Sequence, residues 1–153
     1  MRLHTIFSIA VLCTVPMAAL ADGNTHMTGG HTPSAEAARV YIANLADGDT
    51  VTSPVTVVFG LQGMGVAPAG VERDHTGHHH LLIDRPPFGS VDGDDASMGL
   101  PSDEHHRHFG GGQTQVTLDL SPGPHTLQLV LGDAGHVPHN PPVMSEQITI
   151  NVE

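Results

Sequence analysis

The chain has 153 residues, the length of one ordinary domain, and its 16 carboxylates against five arginines give a formal net charge of −11. Such a charge repels phosphate backbones, and a chain with one tyrosine and no tryptophan offers few rings for stacking on bases. We therefore expect no nucleic-acid binding, whereas small cations are concentrated by the same field.

Residues 1–21 have the three parts of a secretory signal peptide. Arg2 provides the positive start, an apolar run of about ten residues follows, and small residues end at Ala21. Because this run is shorter than the roughly 20 residues that cross a bilayer, we expect no membrane span and an exported, periplasmic protein. Cleavage would remove Cys13, the only cysteine, so neither a disulfide nor a thiolate ligand is expected.

The rest of the chain divides into a short leader and one domain. Residues 22–36 are rich in Gly, Thr and Ser and predict a flexible leader. In residues 37–153, short segments between Gly and Pro turns alternate apolar and polar side chains, and none shows the 3.6-residue period of a helix. The alternating segments are "ARVYIANL", "PVTVVFGL", "QVTLDL", "HTLQLVLGD" and "EQITINV". A further strand is expected at "HHHLLI", where histidines run into the apolar "LLI".

This alternation predicts an all-β domain, an antiparallel β-sandwich of six to seven strands. The "SPGP" between "QVTLDL" and "HTLQLVLGD" predicts a tight turn, and therefore a hairpin of those two segments. Two Pro- and Gly-rich stretches, residues 85–104 and 132–145, are longer than a sandwich requires. Loops of this length in a compact domain often carry functional residues.

Nine of the histidines form three groups beside these loops. Neutral imidazole is the commonest transition-metal ligand, and sets of two or three histidines suit zinc or copper. The groups therefore predict a metal site. They are His75, His78, His79 and His80; then His105, His106 and His108; then His136 and His139.

The strand register decides which of these rings can meet. If Leu81 faces the core, period two places His79 on the core side and sets His78 and His80 together on the opposite face. Two imidazoles two residues apart on one face can grip a single ion. The same alternation, applied to "HHRHF", pairs His106 with His108.

Three methionines stand in Gly- and Pro-rich segments and bear on the choice of ion. Met64, Met98 and Met144 offer thioethers, and a thioether combined with imidazole favours copper when thiolate is absent. No catalytic residue is predicted. The candidate metal ligands are His78, His79, His80, His106, His108, His136, His139, Met64 and Met144.

The histidines also have a purely structural interpretation. A row of strand-end histidines can hydrogen-bond to backbone carbonyls and to nearby carboxylates, and so fix loops without any metal. His125, which begins a strand, is expected to be such a hydrogen-bonding residue rather than a ligand.

Four motifs in the second half carry a resemblance to a known family. They are "GHHHL" at residues 77–81, "HFGGGQ" at 108–113, "HTLQLVLGD" at 125–133 and "HVPH" at 136–139. Together they resemble the bacterial domain-of-unknown-function family 4399, over residues 37–152. The resemblance implies an exported protein without an assigned activity, and some relatives carry an automatic label of rod shape-determining protein. Residues 84–105 depart from the family's usual form, because here they are acidic and Gly-rich.

A second resemblance lies at the front of the domain. Residues 44–59, "NLADGDTVTSPVTVVF", are similar to the opening two strands of bacterial immunoglobulin-like domains. This implies an immunoglobulin-like form of the β-sandwich. A shared fold does not assign a function.

Three functions from different classes remain open at this point. The leading hypothesis is a periplasmic, histidine-rich metal-binding protein that holds copper, or zinc, for storage, delivery or tolerance, with a periplasmic protein as a further partner. The alternative is an envelope structural or protein-interaction module with structural histidines. The third is a copper/zinc redox enzyme resembling superoxide dismutase.

Overall fold

The computed structural model describes residues 32–153, so the predicted signal peptide and most of the predicted leader lie outside the described residues. Within residues 32–153 all regular structure is β-strand, and no helix there could span a membrane. The all-β prediction is confirmed. The strands are β1 (Arg39–Ile42), β2 (Thr50–Val51), β3 (Val55–Gln62), β4 (Gly65–Val66), β5 (Thr76–Ile83), β6 (His106–His108), β7 (Gln115–Leu118), β8 (Gly123–Gly132) and β9 (Ile148–Val152).

The strands form two sheets that pack face to face. The smaller sheet has the order β1-β3-β7, and the larger has the order β2-β9-β8-β5-β4, with β6 also paired to β5. Most neighbours are antiparallel, but β2 with β9 and β4 with β5 are parallel. The sandwich prediction is confirmed, with more strands than predicted because β2, β4 and β6 are only two or three residues long.

The predicted hairpin of β7 and β8 is wrong. β7 pairs with β3 in the smaller sheet, whereas β8 pairs with β5 and β9 in the larger one. The "SPGP" segment therefore carries the chain from one sheet to the other. Because each strand has one apolar face, placing them in opposite sheets lets Leu118 and Leu127 share one interior.

The main core lies between the sheets and is built by the predicted alternation. Val57 and Phe59 contribute from the smaller sheet, and Leu81, Leu129 and Ile150 from the larger, each at most 5% exposed. Full burial of such side chains contributes about 1.5–3 kcal/mol each. The centre of β5 is thereby fixed in place.

A second apolar cluster covers the opposite face of the larger sheet. Leu82 and Val130 project there from β5 and β8, and Phe88 and Leu100 pack onto them from residues 85–104, here named the acidic loop. The Phe88 amide also donates to Gln128 Oε1 at 2.8 Å. Because the acidic loop folds over this face, β5 is buried on both sides.

The end of β5 provides a pH-dependent contact. The carboxylate of Asp84 accepts hydrogen bonds from the Thr126 amide at 2.9 Å and from His125 Nδ1 at 2.8 Å. Burial is the largest single effect and disfavours the charged form of His125, but the hydrogen bonds to Asp84 and to the Ser121 carbonyl, together with the charge of Asp84, outweigh it and raise the pKa of His125. The structural role predicted for His125 agrees with these contacts.

We expect His125→Ala to destabilise the protein more in weak acid than in alkali. A pKa raised in the folded state contributes stability below the unfolded-chain value of about 6.5, and this contribution is lost as the pH rises through the folded pKa. Urea unfolding of both proteins at about pH 5.5 and about pH 9 measures the difference. An equal or larger loss at the alkaline pH would contradict the expected sign.

Candidate metal centre

Four histidine rings meet on the outer face of the larger sheet, and we name them the imidazole cluster: His78, His80, His108 and His136. Period two along β5 puts His78 and His80 on the side of Leu82, as the sequence predicts. The antiparallel register pairs His80 with His108 of β6. His136 approaches from the loop that follows β8.

The ring nitrogens of the cluster lie at distances that suit a shared cation. One ring nitrogen from each of His78, His80 and His108 lies within 4.8 Å of the other two. Nε2 of His78 is 3.1 Å from Nε2 of His80, and Nε2 of His108 is 3.1 Å from Nε2 of His136. A tetrahedral zinc ion with nitrogens at about 2.0–2.1 Å holds those nitrogens about 3.3 Å apart. These two nitrogen–nitrogen distances are thus close to the edge length of a tetrahedral zinc site.

Two glycines make room for these rings. A Cβ on Gly132 would lie 3.0 Å from Nε2 of His80, and a Cβ on Gly110 would lie 2.3 Å from Cε1 of His108. The second distance is far below any ordinary carbon–carbon contact, so the His108 ring would have to move. Both rings can occupy these positions only because Gly132 and Gly110 have no side chain.

The buried members of the cluster are neutral at ordinary pH. Burial lowers the pKa of His78 to about 4, with further lowering by His108 and His136. Burial likewise lowers the pKa of His80 to about 2, and the pKa of His108 below its usual value. Because a metal binds the neutral imidazole, the site is in the form that ligates.

Several ring nitrogens here have no hydrogen-bond partner within residues 32–153. They include the buried Nδ1 atoms of His78 and His80 and the Nε2 atom of His106. Leaving such a group unsatisfied costs about 1–3 kcal/mol. Buried polar atoms of this kind are commonly satisfied by an ordered water.

His106 adjoins the cluster and is held by the acidic loop. Its ring lies 5.2 Å from that of His80, nearly perpendicular to it, and its Nδ1 is 3.0 Å from Oδ2 of Asp94. Asp94 is itself paired with Arg85 at 2.7 Å. Burial lowers the pKa of His106 despite this carboxylate. A carboxylate on one ring nitrogen fixes the tautomer and directs the other nitrogen away from it.

The structure places the remaining predicted ligands away from the cluster. His79 faces the core against Phe59, with ring centroids 5.1 Å apart, and burial lowers its pKa to about 4. Met64 packs on the main core. Met144 bridges to Val130, on the side of β8 away from β5, and is 45% exposed.

His139 is also buried, but beside the core face of β5. A Cβ on Gly77, which shares the strand side of His79, would lie 2.9 Å from Nε2 of His139. Neither ring nitrogen of His139 has a hydrogen-bond partner within the described part of the chain. The "HVPH" spacing alone did not show that its two histidines diverge.

Asp133, which is not among the predicted site residues, organises the loop that presents His136. Its Oδ1 accepts from the amides of Gly135 and Val137, each at 2.9 Å, and its Oδ2 accepts from Thr32 Oγ1. Residues 32–34, at the end of the predicted leader, also pair with Asn140 of this loop. In the sequence, Asp-Ala-Gly directly after a strand indicates such a turn.

Comparison with known proteins gives one match. The sequence model of Domain of unknown function (DUF4399) matches residues 57–153, which is more than half of the chain. The matched region contains the whole imidazole cluster, Asp94 and both glycines that accommodate the rings. No curated protein and no solved structure matches the chain.

Proposed function

We propose that this chain, which belongs to the domain-of-unknown-function family DUF4399, is a periplasmic protein that binds one copper or zinc ion through the imidazole cluster. Storage, delivery or tolerance of the ion would be its role. The observation that carries the proposal is the convergence of ring nitrogens from His78, His80 and His108 within 4.8 Å.

Rigidity supports this proposal. His78 and His80 lie on β5, between β8 and β6, with the main core on one side and the acidic loop on the other. Ligands whose positions are set by a packed sheet lose less entropy on chelation than ligands on a flexible segment. Their burial favours neutral imidazole, so little proton release accompanies binding at neutral pH.

The chemistry of the donors restricts the ion. All the nitrogens that converge are imidazole nitrogens, which suit zinc and copper, and intrinsic affinity rises toward copper among divalent ions. Met64 and Met144 lie away from the cluster, so thioether ligation gives no support for copper at this site. The preference for copper therefore depends on imidazole alone.

Equilibrium dialysis of the purified, untagged chain against copper or zinc, followed by metal analysis, tests the proposal. We expect one equivalent that is lost on replacing the cluster histidines and retained in His75→Ala, which changes an exposed histidine of the same run. Uptake that is unaffected by the cluster substitutions would contradict it.

We expect Gly110→Ala to weaken metal binding without removing any ligand. The new Cβ would lie 2.3 Å from Cε1 of His108, so the ring must leave its place, and a loss of about tenfold or more in affinity is expected. Competition with a chromophoric chelator measures this. Gly99→Ala is the control, because the atom nearest to its Cβ, the carbonyl oxygen of His136, is 3.9 Å away, which is an ordinary van der Waals contact. Equal losses in the two variants would refute the explanation.

The contacts of two histidines outside the cluster, His105 and His125, favour a structural role. His105 Nδ1 lies 3.1 Å from the Ile83 carbonyl oxygen, and His125 bridges Asp84 and the Ser121 carbonyl oxygen. These contacts brace loops in the way an envelope structural or interaction module would need. Under that function, thermal stability would be indifferent to chelators and to added metal.

A further inference from the structure

We infer that His136 is the exchange ligand of the imidazole cluster, the imidazole that leaves the ion when an incoming nitrogen donor takes it over. The other three histidines would then be permanent ligands. This inference rests on the proposed function and adds to it the route by which the ion enters and leaves.

The three permanent ligands are borne by the sheet. His78 and His80 are fully buried in β5, and His108 is tied to His80 by the β5–β6 register. The rings of His80 and His108 fill the spaces left by Gly132 and Gly110. Movement of any of these rings would disturb a packed strand.

His136 differs because it belongs to a loop. Its backbone has φ +64°, a left-handed conformation that is uncommon for a non-glycine residue. Its amide donates to the Asp133 carbonyl at 3.0 Å, and its carbonyl accepts from the Leu100 amide at 2.7 Å. Because both its amide and its carbonyl are held by hydrogen bonds, this conformation fixes the direction of the side chain. Here it points the ring at the cluster.

The ring of His136 is also on the solvent side of the cluster. It is only partly buried, as is His108, whereas His78 and His80 are 0% exposed. Its centroid lies 4.6 Å from that of His108, 5.0 Å from that of His78 and 6.1 Å from that of His80. An incoming ligand that approaches from solvent would therefore meet His136 before the inner pair.

The exchange step conserves charge and electrons. The bond between the ion and Nε2 of His136 breaks first, and a bond between the ion and the incoming donor nitrogen then forms at the vacated position. The ion keeps its oxidation state throughout. The molecule that receives the ion is a nitrogen-donor chelator or a partner protein that presents imidazole.

Release of the ion to an excess of a nitrogen-donor chelator, followed by stopped-flow absorbance, tests this inference. The full chain is loaded with one equivalent of copper or zinc. In the unchanged protein we expect a release rate that saturates with chelator concentration, because departure of His136 limits it. In His136→Asn we expect release about tenfold faster without saturation, and an equilibrium affinity within about 100-fold of the unchanged protein. Asn tolerates the left-handed backbone, and His136→Gly repeats the test without a side-chain oxygen.

Each outcome decides between the proposals. If the unchanged protein binds no ion, the proposed function fails. If it binds one ion but His136→Asn and His136→Gly release it at the unchanged rate, only the exchange role is overturned. If both variants lose binding as completely as a His80 variant, His136 is a permanent ligand and the exchange role is again overturned.

Discussion

Replacement of His80 by alanine is expected to abolish tight copper or zinc binding, with a loss of more than about 100-fold in affinity. Changes to residues that merely orient a ligand cost roughly 10- to 100-fold, and His80 would be a ligand itself. Its Nε2 lies 3.1 Å from Nε2 of His78, and its ring centroid lies 5.0 Å from that of His108, so His80 adjoins both other members of the three-histidine group. Chelator competition measures the affinity.

The control for this variant is His75→Ala. His75 belongs to the same histidine run but is exposed and precedes β5, so its loss should leave the affinity unchanged. Far-ultraviolet circular dichroism of both variants shows whether the sandwich is intact. Retention of tight binding by folded His80→Ala would be incompatible with the proposed site.

Metal is expected to raise the thermal stability of the protein substantially. Free ion at about 100 times the dissociation constant stabilises the folded state by about 2.7 kcal/mol, which for a domain of this size raises Tm on the order of 10 °C. The ligands come from β5, β6 and the loop after β8, so the ion would join three segments that separate on unfolding. Differential scanning calorimetry with and without zinc measures the change.

The same experiment on His80→Ala provides the control. This variant should show a Tm that does not respond to zinc, because the ion would have lost one of its central ligands. An equal rise in both proteins would mean that zinc binds elsewhere. No rise in either would support the bracing role of the histidines instead.

The sequence predicts the faces of β5 but not what covers them. Because period two is strict in a strand, the position of Leu81 in the core was enough to put His79 inside and His78 and His80 outside. Alternation does not show that the acidic loop returns to bury Leu82 under Phe88. That burial depends on how an irregular loop folds back onto the sheet, which the alternation of β5 does not encode.

The sequence also did not predict which strands and side chains lie next to each other. The strand pattern of β7 and β8 is compatible with a hairpin, since alternation reports which side chains are apolar and not which strand lies alongside. The pairing of His106 with Asp94 spans a loop and leaves no local signal. Their spacing in the sequence does not show which of His136 and His139 joins the cluster. The Asp133 turn and the left-handed backbone at His136 decide this in the structure.

X-ray absorption at the zinc edge of the zinc-loaded protein tests most directly whether the imidazole cluster holds the ion. We expect three or four nitrogen ligands at about 2.0–2.1 Å with the multiple scattering of imidazole and no sulfur. In a variant lacking the side chains of His78, His80 and His108, that signal should disappear. A spectrum dominated by oxygen or sulfur, or one that the triple variant leaves unchanged, would contradict a histidine site on this sheet.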